Sequence, residues 1–313
     1  MKKLVMAISA LTAAMFSTSA NADISVSGSA GVGVSSGIAA AGTQITNGAA
    51  LEFALSSDLG NGVTVSTSAG ISLDSNDEKA LSTVNATGLS NLSIATGGSS
   101  VTIGGDIDIA GDGVGEVGGV AGDLVDEGGY NAALTGMGGL TEEDGYGFAV
   151  TTAVGGATVT ASFILDSDGE KNMATTDDAN TATGVAVSMP VGNMSITLGA
   201  ANDEKNSQSV AGGEISMALG GGSVTAGMAE MSPSSGNGTS TWGVEYATTM
   251  GGASVSVGYT NGSSGTSKST RTELSVSQSI GAGASLFLDL QNGSGSGTTT
   301  AGTNVAVGTS FSF

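Results

Sequence analysis

Gly48-Ala49-Ala50-Leu51-Glu52-Phe53-Ala54-Leu55-Ser56 decides how the rest of the chain is read. On an extended backbone successive side chains point to opposite faces, so Leu51, Phe53 and Leu55 share one face while Glu52 and Ala54 take the other. The same period of two recurs in Val63 to Leu73, Tyr146 to Val154, Ala157 to Asp166, Met194 to Leu198, Glu214 to Leu219, Trp242 to Ala247 and Asn304 to Phe313. Each stretch has the length of a strand and one greasy face. Alternation alone fits a soluble sandwich as well as a barrel, so the connections must decide between them.

Tight glycine-bearing connections fall at Asp58 to Gly62, Thr96 to Ser99, Val154 to Ala157, Pro190 to Asn193, Gly220 to Ser223, Met250 to Ala253 and Ile280 to Ala284. Between them come longer polar or acidic connections. Short turns on one side and long loops on the other are the layout of a transmembrane antiparallel β-barrel. Seven turns interleaved with eight loops join about sixteen strands. Their centres are expected near Ser29, Phe53, Ser68, Ser93, Ile103, Phe148, Ser162, Ala186, Thr197, Ser216, Ala226, Val244, Val257, Ser275, Leu288 and Val307. An even count lets the last strand pair with the first and leaves no edge. Asn-Gly pairs at Asn61, Asn237, Asn261 and Asn292 read as turn residues.

Composition agrees with an all-β chain: 54 Gly and only 2 Pro in 313 residues suit many strands and turns. A mean hydropathy of +0.21 with regularly placed Val, Ile, Leu and Phe argues against disorder. At the N-terminus Lys2 and Lys3 precede an apolar run from Leu4 to Phe16 and the stretch Ala20-Asn21-Ala22, the pattern of a secretory signal peptide. Residues 1–22 are therefore expected to be removed, leaving 23–313 as one barrel.

The chain holds 0 Cys and 0 His, which removes disulfides, thiol nucleophiles, imidazole bases and most zinc or haem sites together. No cofactor is expected, and an enzyme is disfavoured for the same reason. The formal net charge of −21 becomes about −23 without Lys2 and Lys3, leaving 28 acidic residues against Lys79, Lys171, Lys205, Lys268 and Arg271. Such a balance repels nucleic acid and attracts cations.

One connection is out of scale. Residues 106–145 carry ten carboxylates, among them Asp106, Asp108, Asp112 and Glu116, and no alternating strand. Insertions this long are functional or disordered. The strand carboxylates Glu52, Glu214, Glu245, Glu273 and Asp289 each alternate with apolar neighbours, which points them away from lipid and into the lumen. Arg271 is the one mature base expected on a strand; the four lysines fall in expected external loops. Candidate calcium ligands are Asp74, Asp77 and Glu78 in one loop and Asp166 and Asp168 in another, where Lys171 replaces the Gly an EF-hand needs.

Together these features resemble the general bacterial porins, especially those of alpha-proteobacterial type, over the whole chain. The residues that carry the resemblance are Ile24-Ser-Val-Ser-Gly-Ser-Ala-Gly-Val-Gly-Val34, the segment Val101-Thr-Ile-Gly-Gly-Asp106 leading into the acidic insertion, and the ending Ser310-Phe-Ser-Phe313. The resemblance implies an outer-membrane channel for ions and small hydrophilic solutes, assembled as a homotrimer. It also implies a third loop folded into the lumen and a C-terminal Phe313 read by the barrel-assembly machinery. Three features depart from the family: no cluster of Arg or Lys, a single Trp (Trp242), and no Pro-Glu-Phe-Gly stretch in the third loop. The missing bases turn the expectation toward a cation-preferring pore. The rival reading is a secreted or surface-attached β-solenoid adhesin. It requires a fixed repeat, and Gly104-Gly-Asp-Ile-Asp-Ile109 imitates one that does not recur.

Overall fold

The computed structural model describes residues 21–37, 42–75, 83–89, 91–105, 107–112, 114–115, 145–166, 181–204, 207–233, 238–295 and 302–312. Its strands are β1 (Asn21–Gly37), β2 (Gly42–Asp58), β3 (Val63–Ser75), β4 (Thr83–Leu89), β5 (Leu92–Thr96), β6 (Ser99–Gly104), β7 (Tyr146–Val154), β8 (Ala157–Asp166) and β9 (Ala182–Val191). They continue as β10 (Met194–Asp203), β11 (Gln208–Leu219), β12 (Gly222–Ser232), β13 (Thr239–Met250), β14 (Ala253–Ser264), β15 (Ser267–Gly281), β16 (Ala284–Gly295) and β17 (Gly302–Ser312).

Every pairing is antiparallel and, β3 with β5 apart, joins neighbours in sequence until β17 returns to pair with β1 through Val34↔Val307. Segments β4 and β5 both pair with β3, on either side of a bulge at Ala69/Gly70. They are two halves of one barrel strand, so the sheet closes on sixteen. Each expected strand centre lies inside a strand. Closure gives each strand two partners, the condition for a sheet to sit in hydrocarbon with its backbone satisfied. Proline cannot donate to the ladder, and both prolines sit at strand ends: Pro190 next to last in β9, and Pro233 just beyond β12.

The tight turns lie at one end of the barrel. In Val154-Gly155-Gly156-Ala157 the two central residues have φ of 60° and 89°, the left-handed pair whose twist matches a two-residue hairpin. The expectation of long loops at the other end needs correcting. Strands β14 and β15 are joined there by Gly265 and Thr266 alone, and Asn261 and Asn292 lie inside β14 and β16 rather than in turns. Pairing continues to the rim through Asn261↔Thr270 and Ser263↔Lys268, so ladder bonds prevail over the turn preference of Asn-Gly. Lys268 is likewise on a strand, not in a loop.

Candidate functional site

The register separates two faces. Val276, Leu288, Val307 and Val34 are successive cross-strand partners on β15, β16, β17 and β1. Leu51, Ile71, Leu198 and Val257 point the same way, and such apolar side chains are as much as 53% exposed at Leu198. A belt of this kind around a closed sheet is a surface for lipid tails.

The opposite, concave face is polar. Towards the tight turns it is paved with hydroxyls that bridge adjacent strands: Thr151 with Thr160 at 3.0 Å, Thr197 to Ser188 at 3.2 Å, Thr225 to Ser216 at 3.1 Å, and Ser285 with Ser310 at 3.0 Å. Higher up stand the carboxylates. Glu245 on β13 and Glu273 on β15 flank Gly258 on β14 in one row. Two strand spacings put their backbones about 9–10 Å apart. Asp289 on β16 faces Ser275 and is only 5% exposed.

Glu214 and Arg271 share another row, with Gly227, Gly243 and Thr260 between them. Arg271 is the one base on the concave face among the described residues, and its Nε lies 2.5 Å from Glu273 Oε1. Glu52 faces Ser27 and Gly70 on the same inner surface and is exposed. The five acids expected on strands and Arg271 therefore all occupy the concave face, with four of these acids and the base gathered on β11, β13, β15 and β16.

The root of the 106–145 connection also lies on that face. Ile107 and Gly145 exchange backbone hydrogen bonds of 2.9 and 3.2 Å, closing the neck of the insertion. The N–H of Ala110 donates to Ser162 Oγ on β8 at 2.6 Å. Ile107 and Ile109 are buried among Ile164, Ala182, Ala201, Val210 and Met231, which all point inward from β8 to β12. Asp108 is exposed and Asp112 half-buried. Asp106, Glu116 and Phe313 lie outside the described residues, as do Asp77, Glu78 and Asp168. Asp74 and Asp166 are at the ends of β3 and β8. Among the described residues no three acidic side chains converge to hold a metal ion.

The profile of the Gram-negative porins matches residues 7–310, nearly the whole chain. The chain belongs to that family. Solved structures agree on the fold. A triple mutant of the Rh. blastica porin superposes with a TM-score of 0.69 at 14% identity, covering 93% of this chain and all (100%) of that one. The anion-selective porin from Comamonas acidovorans gives 0.66 at 16% identity, with 94% and 100% covered. No curated protein matches in sequence. Family and fold are those of outer-membrane diffusion channels rather than enzymes, and the sixteen-stranded closure leaves no place for the solenoid reading.

For this porin the alternation rule missed one part of the wall. It assumes polar residues inward throughout, yet Ile164, Val210 and Met231 point inward to grip the root of the insertion. The signal was present as a break in phase: Phe163-Ile164-Leu165 is apolar without alternation where the strand nears its rim. Ser162, Gly184, Gly199 and Gly212, which meet that root, carried no signal of their own in so glycine-rich a chain.

Proposed function

We propose that the protein is a passive, cation-preferring channel through which ions and small hydrophilic solutes cross the outer membrane. The observation that carries this reading is the charge of the concave face: Glu52, Glu214, Glu245, Glu273 and Asp289 against Arg271, which is itself paired to Glu273. A low-dielectric wall lined by one sign of charge concentrates counter-ions in the opening. The net charge of the whole chain, −21, works in the same direction. The likeness to an anion-selective porin is at 16% identity and speaks to the fold alone.

Other parts follow from the family and the sequence. The segment 1–22 serves as the export signal, Phe313 is read by the barrel-assembly machinery, and three copies associate. Asp106, Asp108, Asp112 and Glu116, at the start of an insertion that folds inward, add negative potential at the narrowest level. The channel needs no cofactor. Calcium, if held, would sit on external oxygen ligands around Asp74, Asp77 and Glu78 or Asp166 and Asp168.

The test is the zero-current potential of purified protein in a planar bilayer across a potassium chloride gradient. Cation preference is expected, and it should weaken when Asp106, Asp108 and Asp112 are neutralised together. Anion preference at low salt would overturn the selectivity reading while leaving the channel intact.

A further inference from the structure

In a chain with 54 Gly, a glycine on a strand is unremarkable by itself. Gly184, Gly199 and Gly212 differ because another part of the backbone occupies the space their side chains would take. They lie on three consecutive strands, β9, β10 and β11, all facing inward. A Cβ on Gly184 would stand 2.8 Å from Ile109 Cγ2 and against the carbonyl of Ala110. One on Gly199 would be 2.7 Å from both Gly111 Cα and Val114 Cβ, and one on Gly212 would run into the carbonyl of Val114.

The fit is reciprocal. A Cβ on Gly111, at φ +91°, would come within 2.6 Å of the Ala200 nitrogen, and one on Gly115, at φ +94°, within 2.9 Å of the Gly213 nitrogen. Chain and wall therefore meet backbone to backbone across three strands. The hydrogen bond from Ala110 to Ser162 and the buried Ile107 and Ile109 secure the same stretch at its start. Glycine inside a strand weakens it and offers no side chain to pack, so its presence at these three places is explained by what it admits.

We propose that Gly184, Gly199 and Gly212 are positioning residues: they form a seat that holds the root of the inward connection flat against the wall and so set the open cross-section of the pore. This rests on the channel reading given above. A side chain at any of the three takes the place of connection backbone, which can move only towards the pore axis. Dense packing on both sides leaves no slack to absorb the added volume. The seat thus determines conductance without contacting the permeating ion.

Three measurements test it. Wild-type protein in a planar bilayer establishes that a channel exists at all; absence of channel activity defeats the channel reading, not the seat. Gly199→Val and Gly212→Val should then lower single-channel conductance, whereas Ala200→Val, which places the same side chain on the outward face of β10, should not. Wild-type conductance in both glycine variants, with folding verified by heat-modifiable gel mobility, would overturn the proposal. Because the chain has 0 Cys, the double variant Val114→Cys, Gly199→Cys supplies a second arm that stands even where the valines do not fold. Disulfides need Cβ atoms about 3.5–4.5 Å apart, so a small shift from the present contact suffices. Mild oxidation should remove both thiols from maleimide labelling and leave conductance unchanged on reduction. Two thiols that stay labelled in a conducting channel would show that the connection does not rest there.

Discussion

Arg271 and Glu273, two residues apart on one face of β15, form an ion pair with Nε 2.5 Å from Oε1 and side chains only 9% and 1% exposed. The pair removes the one described inner-face base from the field seen by a passing ion. Breaking it has two effects. Arg271→Gln strands a buried carboxylate, and removing one partner of a buried pair costs on the order of 3–5 kcal/mol. The heat-modifiability transition should therefore fall, while the zero-current potential moves further towards cations. Replacing both residues together, Arg271→Met with Glu273→Gln, should recover most of the lost stability, since no charge is left unpaired.

Strand order and the facing of Glu52, Glu214, Glu245, Glu273 and Asp289 could be read from the sequence because lipid outside and water inside impose a period of two on every strand. What resisted reading depends on neighbours that are remote in sequence. Nothing about Asn261 reveals that β14 and β15 stay paired to Ser264 and Ser267, since that is decided across the ladder. The pairing of Arg271 with Glu273 was accessible as an i, i+2 relation on a strand, yet its burial was not. Gly199 and Gly212 are register partners, but only the placed root at Gly111 and Val114 distinguishes them from other glycines.

Adjacent residues on β14 should respond oppositely to the same substitution. Val257 lies at the middle of the outward apolar run formed with Val255 and Tyr259, so Val257→Arg puts a charge into hydrocarbon at about 2–4 kcal/mol near the midplane. Ser256→Arg puts it in the lumen, where it should leave folding intact and reduce cation preference. Refolding yield into lipid vesicles and bilayer selectivity separate the two. A stable Val257→Arg barrel with altered selectivity would invert the assigned faces.

The hairpin at Gly155-Gly156 gives a purely conformational prediction. Gly156 has φ +89°, and an L-residue held in left-handed geometry costs about 1–2 kcal/mol. Gly156→Ala should lower the unfolding temperature with no change in conductance. Gly156→Asn should lower it less, because a short polar side chain tolerates this region. An equal loss in both would mean that backbone geometry is not what fixes the turn.

Along the closing strand, Val305, Val307 and Phe311 point outward with Val32 and Val34 beside them on β1. If Phe313 extends this face as the assembly signal, deleting it should reduce outer-membrane yield in cells far more than it reduces refolding of purified protein into vesicles. Equal effects in the two assays would assign Phe313 to barrel stability instead.

Selectivity should depend on salt in a way that reflects the spacing of the acids. Glu214 on β11 and Glu245 on β13 stand two strand spacings apart, about 9–10 Å across the sheet. At 0.1 M salt the screening length is about 10 Å, so their fields overlap with that of Asp289 into one negative region, the paired Glu273 adding little; at 1 M it is about 3 Å and each acts alone. Cation preference should thus be pronounced in dilute potassium chloride and fade as concentration rises, while passage of small neutral sugars in liposome swelling stays constant. Glu52→Gln, Glu214→Gln and Glu245→Gln combined should flatten the salt dependence without closing the pore, because all three face the lumen and none belongs to the Arg271 pair. Selectivity that persists undiminished at 1 M would point instead to a direct binding contact at a single carboxylate, and would sink the account in terms of a diffuse field.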